Sequence, residues 1–278
     1  LIKERNDSEF SGRDLQTNAL TQAIQDLFEN SEAVGGAVAI VDPDDGVEYS
    51  QGFGLADRDT NMAYTAEIVQ PIASISKTLI GVSLMKAQEL GLLTLDDEVN
   101  DHIPFRVVNP NFPNNPILLR HLATHTSSIF DTVYYYRSYI FREEIPLSLC
   151  LKIPLGYPTV RGECFFFRAV VNGNQEMTTN EFLKQLYGEN EGFWFLSTFG
   201  NYAPGTQEVY SNHGSALAAV AIEGASGMDY GAFVKTHILD PLGMSKSSYD
   251  MADFATNEKS KLYPYALQPI PEWQSLTY

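Results

Sequence analysis

The sequence predicts an α/β (α+β) fold, an antiparallel hairpin set among helices, and three observations carry that prediction. Apolar residues recur at helical spacing over 15–28, two short strands follow around a turn at 42–46, and helical spacing returns over 74–90 and again from 214 onward. A chain of 278 residues with 44% apolar and 19% charged residues can bury a substantial core. One globular body with a subdomain is the expectation at this length.

Asp14 is suited to cap the first helix, in which Leu15, Ala19, Leu20, Ala23, Ile24, Leu27 and Phe28 share one side. Residues 36–41 and 47–54 read as paired strands. In the turn between them Pro43 fixes φ and Gly46 tolerates a left-handed backbone. Residues 74–90 form the clearest second helix. Ile75, Leu79, Ile80, Val82, Leu84 and Met85 supply its apolar face, Pro71 stiffens the approach, and Gly91 stops it.

Further along, 94–99 reads as a short capped segment, 120–125 as a short helix, and 214–225 and 230–239 as helices, the last ended by Pro241 and Gly243. The stretch from 128 to 200 has no clear period. Its aromatic triplets, Tyr134-Tyr135-Tyr136, Phe165-Phe166-Phe167 and Phe193-Trp194-Phe195, read first as packing residues and second as the lining of a substrate channel.

The formal charge of −17, from 35 acidic residues against 18 Lys and Arg, repels phosphate backbones and anionic membrane surfaces, so no nucleic-acid partner is expected. The N-terminus turns polar at once and no apolar run reaches bilayer-spanning length. A mature chain whose leader has been removed reads the same way; a periplasmic or secreted location is expected, with a cytoplasmic one still open. Cys150 and Cys164 are equally consistent with one disulfide and with two reduced thiols. No Cys-x-x-Cys or His-Glu-x-x-His pattern occurs, and no metal or cofactor is expected.

Ser74-Ile75-Ser76-Lys77 is a Ser-x-x-Lys pattern at the front of a helix, where residues three apart share a face and Lys77 can turn back to Ser74. A serine hydroxyl needs a nearby base to become nucleophilic. The helix N-terminus adds free N–H groups where negative charge develops on a carbonyl oxygen. Chance supplies roughly one such pattern in a chain of this size. Ser83-Leu84-Met85-Lys86 is a second, but it lies inside the helix, where the Ser83 amide is already bonded.

Tyr210-Ser211-Asn212 lies between a turn at 202–206 and the helix from 214. A loop tyrosine held there can approach Ser74 and Lys77 across a cleft, and Lys77 would stabilise its phenolate. Asn212 is suited to orient Lys77 and to donate to a substrate amide. Taken alone, the segment reads first as a buried tyrosine beside an Asn cap and only second as part of a site.

Segments 72–78, 91–97 and 118–127, followed by Pro204-Gly205-Thr206, Tyr210-Ser211-Asn212 and Asp240-Pro241-Leu242-Gly243-Met244, resemble in order the landmarks of the class C β-lactamase-like serine hydrolases, a family that includes penicillin-binding proteins, esterases and peptidases. The resemblance implies Ser74 as the acylated nucleophile, Lys77 and Tyr210 as its proton-transfer partners, and Ser74 and Asn212 as substrate contacts. It also implies a β-lactamase/transpeptidase-like fold, with an antiparallel sheet flanked by helices and a largely helical subdomain over about 74–240 within one catalytic domain, 1–278.

The family's Lys-Thr-Gly or His-x-Gly strand signature is absent downstream of Tyr210. Lys235-Thr236-His237 lacks the glycine and sits in a helical pattern. The expectation is that C-terminal sheet strands are missing from the chain and that a further segment or a second chain completes the sheet. Ser127-Ser128 stands where relatives often have Ser-Gly, which bears on backbone freedom. His121, His125 and His213 are read as capping or loop residues, and Asp96 and Asp97 as braces of a turn.

The implied activity is acyl transfer through Ser74 on an amide, lactam or ester carbonyl of a small molecule or peptide, β-lactamase-like. The alternatives are a D-amino-acid peptidase or carboxylesterase, and a non-catalytic binding or regulatory protein that keeps the hydrolase fold.

Overall fold

The computed structural model describes residues 7–44, 46–131, 178–189 and 199–261, with the backbone alone at 7–16 and 251. The three aromatic triplets, Cys150 and Cys164 lie outside these residues. The fold is α/β with an antiparallel sheet, and the chain divides into two compact units, Leu1–Pro71 with Lys246–Tyr278, and Ile72–Ser245.

In the first unit, helix α1 (Asp7–Glu29) starts ahead of Asp14, because nothing in 7–13 forbids helix: there is no proline and a single glycine. Phe28 stacks on Phe53 with ring centroids 5.4 Å apart, and Thr21 Oγ1 lies 3.0 Å from the Tyr49 hydroxyl. Leu27 stays 70% exposed, so the apolar side of α1 is only partly covered.

Strands β1 (Gly35–Asp42) and β2 (Gly46–Asp57) pair antiparallel, with Gly35 opposite Gly54 and Ile40 opposite Tyr49. Beyond Ile40 the register shifts to Val41 opposite Val47, so Glu48 is the extra residue of a bulge. A third strand, β3 (Met62–Ala63), pairs with β2 and was too short to read from spacing. Gly52 is required by close approach, since a Cβ there would strike the Tyr64 carbonyl.

The second unit holds the larger core. Helix α2 (Ser76–Glu89) follows a 3₁₀ turn at Ala73–Ile75 and does not begin at Ser74. Its buried side is Ser83, Leu84 and Ala87, while Ile75, Val82 and Met85 are 65%, 48% and 53% exposed, so only part of the expected apolar face is inside. Asp97 braces the turn after α2 by accepting from Thr94 N–H at 2.8 Å and Thr94 Oγ1 at 2.6 Å, with His102 Nε2 at 2.9 Å. Asp96 instead pairs with Arg120 at 2.5 Å.

Helix α3 (Leu119–Ala123) is the short helix expected at 120–125. Helix α4 (Thr179–Tyr187) has a capping box: Thr178 Oγ1 accepts from Glu181 N–H at 3.2 Å, and Glu181 Oε2 accepts from Thr178 N–H at 2.8 Å. Helix α5 (Asn212–Ser226) starts two residues before Gly214, capped by Ser211, whose Oγ accepts from Gly214 N–H at 2.9 Å. It ends at Gly227, whose φ of 69° is left-handed.

Helix α6 (Tyr230–Val234) runs into a π turn at Lys235–Leu239, where one continuous helix was expected. The Asp240 N–H bonds the Lys235 carbonyl at 2.9 Å, a five-residue closure that marks the widened turn. Among the described residues no helix is long and apolar enough to cross a membrane.

Ser128 takes the left-handed conformation (φ 62°) at the position singled out for backbone freedom. Its Oγ accepts from Asn109 Nδ2 at 2.9 Å. Ser128→Gly removes about 1–2 kcal/mol of left-handed strain, loses a hydrogen bond worth about 1 kcal/mol, and adds about 0.4–1 kcal/mol of unfolded-chain entropy. The expected result is a change in urea unfolding free energy within about 1 kcal/mol of zero, whereas Ser128→Val destabilises by about 2 kcal/mol or more.

Candidate active site

The site is built within the Ile72–Ser245 unit from two chain segments, 73–77 and 210–213, with Asp131 and His125 behind them. Ser74 lies in the 3₁₀ turn that leads into α2, so Lys77, one turn on, reaches back until its Nζ donates to Ser74 Oγ at 3.1 Å. Within this turn Ala73 holds φ at 47°, a left-handed value that costs a residue with a Cβ. Ile75 N–H bonds the Ile72 carbonyl at 3.1 Å, and the Ser74 N–H stands at the head of the turn, where backbone donors have no helical acceptor.

The second Ser-x-x-Lys pattern assembles nothing of the kind. Ser83 is fully buried in α2 without a hydroxyl partner among the described residues, and Lys86 pairs with Glu89 at 3.1 Å.

Tyr210 comes to the nucleophile from the other side. Its hydroxyl lies 2.9 Å from Ser74 Oγ and 3.2 Å from Asn212 Oδ1, and having one hydrogen it donates to one of them at a time. Lys77 Nζ stands 5.2 Å from the Tyr210 ring centroid. Burial pushes the Tyr210 phenol up, but Lys77 beside it and the bond to Ser74 outweigh that and bring it below its ordinary value. Tyr210 remains 50% exposed, so the phenol and serine are open to a substrate.

Asn212 was expected to orient Lys77. Its Nδ2 instead donates to Asp131 Oδ2 at 2.6 Å, because a carboxylate is the stronger acceptor within reach. Asp131 Oδ1 also accepts from Ser211 Oγ and from the His213 N–H, each at 3.0 Å. Burial pushes the Asp131 carboxyl up, but these bonds prevail and hold it below the usual range, ionised at the head of α5. Nothing in the local sequence around Asp131 signals this role, since its partners lie about eighty residues away.

The three histidines serve the framework. His121 Nδ1 accepts from Leu118 N–H at 3.1 Å, and His125 Nδ1 accepts from Ser211 N–H at 3.2 Å while its ring packs 4.7 Å from that of Tyr210. His213 is buried, with Nδ1 2.6 Å from the Tyr187 hydroxyl, and burial drives its pKa down to about 4.

Two outcomes are expected from this geometry. Ala73→Gly relieves the left-handed strain against a smaller unfolded-state penalty, so urea denaturation should show a gain of about 0.5–1 kcal/mol. For His213, the unfolded chain takes up a proton near the ordinary value of 6.5 that the folded chain refuses until about 4. Stability from this residue therefore falls as pH drops through that window, by up to about 3 kcal/mol. His213→Gln should flatten the dependence between those two values in a pH series of thermal melts.

The family model for Beta-lactamase matches residues 20–144 and 189–274, more than half of the chain. Penicillin-binding protein 4* of Bacillus subtilis is 27% identical over 227 residues, covering 81% of this chain and 40% of that protein. The D-alanyl-D-alanine-carboxypeptidase/endopeptidase AmpH of Escherichia coli is 27% identical over 225 residues, covering 80% of this chain and 47% of that protein. The octameric penicillin-binding protein homologue from Pyrococcus abyssi superposes with a TM-score of 0.57 at 26% identity, over 82% of this chain and 43% of its own. The chain thus spans less than half the length of these relatives. With a match that runs through both segments of the site, the chain belongs to the beta-lactamase family, the superfamily of class C β-lactamase-like and penicillin-binding-protein-like serine hydrolases.

Proposed function

We propose that this chain carries a serine hydrolase site that works through an acyl-enzyme on Ser74 and acts on amide, lactam or ester carbonyls. The observation that carries the reading is the hydrogen-bonding of one hydroxyl, Ser74 Oγ, by both an amine at 3.1 Å and a phenol at 2.9 Å at the start of a helix. In the first step Ser74 Oγ attacks the carbonyl carbon while its proton passes to the Lys77–Tyr210 pair, which enters the step one proton short, as neutral amine beside phenol or as ammonium beside phenolate. The carbonyl oxygen becomes an oxyanion, to which the Ser74 N–H is available as a donor. Collapse of this intermediate breaks the bond to the leaving group, which takes up the proton held by the pair. Water then attacks the acyl carbon, gives its proton to the same pair, and releases Ser74 with its hydrogen restored.

Asn212 enters as a substrate contact through the amide hydrogen that Asp131 does not use. The activity named for the Escherichia coli relative makes short D-amino-acid peptides the first amide substrates to test, followed by acyl esters and β-lactams. A periplasmic or secreted site of action accompanies this reading.

A fluorophosphonate or β-lactam probe should leave one adduct, located by peptide mass mapping at Ser74 and lost in Ser74→Ala. Lys77→Ala and Tyr210→Phe should each slow acylation by about 10²–10⁴-fold, the range typical of a removed acid–base group. Failure of a folded wild-type chain to acquire any adduct overturns the enzymatic reading in favour of a binding role.

A further inference from the structure

We propose that Asp131 is a positioning residue for the nucleophile: by taking the NH₂ end of Asn212 it turns that amide's oxygen towards Tyr210 and so gives the phenol hydrogen a second acceptor, off Ser74. The inference rests on the acyl-enzyme reading of Ser74.

An ionised carboxylate accepts and never donates, so at 2.6 Å it can face only the Nδ2 end of the Asn212 side chain. The other end, Oδ1, is then directed at the Tyr210 hydroxyl 3.2 Å away. Turning the amide over would set its oxygen against the carboxylate and replace a charge-assisted bond by a repulsion, so one orientation dominates. Asp131 itself cannot swing aside. Ser211 Oγ and the His213 N–H hold its other oxygen at 3.0 Å each, and both belong to the first turn of a helix whose inward side is core.

The consequence reaches Ser74 through one hydroxyl. Tyr210 has a single hydrogen and two neighbours that can accept it, Asn212 Oδ1 and Ser74 Oγ. While Asn212 presents an oxygen, the hydrogen has an acceptor off the nucleophile, and the phenol oxygen keeps a lone pair facing Ser74. If the amide turned, its NH₂ would donate to the phenol oxygen and send the phenol hydrogen onto Ser74 Oγ, occupying the electron pair needed for attack. Asp131 thus acts at two removes, touching neither substrate nor serine.

The test compares Asp131→Asn, Asn212→Ala and the double variant, with kcat for an activated acyl ester divided by the fraction of Ser74 that a fluorophosphonate titrates. Asp131→Asn should lower kcat per titrated serine by about tenfold or more, because an interaction made on the path of the proton is lost, and KM should rise with it for substrates that accept from the Asn212 amide, which turns in the same variant. The double variant should be no slower than the slower of the two single variants, since both cut one chain of contacts. A merely structural Asp131 predicts fewer titratable sites at unchanged kcat per site, and that result overturns the proposal, as do losses that multiply in the double variant.

Should Asp131→Asn fail to fold, Asp131→Glu carries the test. It keeps an accepting carboxylate, so kcat per site within about threefold of wild type supports the proposal and a loss beyond about tenfold overturns it. A wild-type chain that is never labelled removes the acyl-enzyme reading and this inference together. A labelled wild type with multiplying losses removes this inference alone.

Discussion

Helix α5 packs in the middle of its unit against α2, α3, α4 and α6, and the position of the candidate site follows from that packing. Eight of its fifteen residues are buried, among them Ala218, Ala221 and Gly214. Gly224 is required where the helix passes the His102 carbonyl, which any Cβ would strike. Leu84 and Ala87 of α2 and Leu119 and Leu122 of α3 belong to the same core cluster. Each large apolar side chain fully buried there is worth about 1.5–3 kcal/mol, so a shift of α5 along its axis would forfeit several such terms together. The core thereby fixes where the first turn of α5 emerges, and Tyr210 stands just before it.

What emerges at that end is a chain of polar contacts with alternating character. Asp131 is an acceptor only, Asn212 donates to it and accepts from Tyr210, and Tyr210 meets Ser74, on whose other side Lys77 donates. Opposite charges thus act on Tyr210 from two directions, with Lys77 lowering the phenol pKa and Asp131 raising it. Such a chain has one arrangement of donors and acceptors at its carboxylate end and some freedom at its serine end, where the chemistry is proposed.

Backbone strain gathers around the same place. Ala73, His125 and Ser128 all have left-handed φ without being glycine, at 47°, 56° and 62°. Ala73 precedes the nucleophile, His125 supports Ser211 and packs on Tyr210, and Ser128 lies three residues before Asp131. Conformations of this kind persist where surrounding structure over-determines them, and here the surrounding structure is the core beneath α5 and α3.

The sequence by itself determined the parts whose physics is local. The Ser74–Lys77 pairing follows from helical spacing, the hairpin from its turn residues, and the exclusion of Ser83 from its place inside a helix. The ordered landmarks from 72 to 244 were enough to recognise the family. Local spacing was less informative about boundaries: α1 overruns its expected cap, α4 went unread despite the Thr178–Glu181 capping pattern, and the helix at 230 opens into a π turn.

Only the tertiary structure decided which faces are buried and which distant groups meet. Half-exposed Val82 and Met85 look like core residues by spacing, because periodicity describes one helix and burial depends on what lies opposite it. Asp131 meets Asn212 across about eighty residues for a related reason: a contact between segments far apart in sequence is set by packing, and no local pattern encodes it.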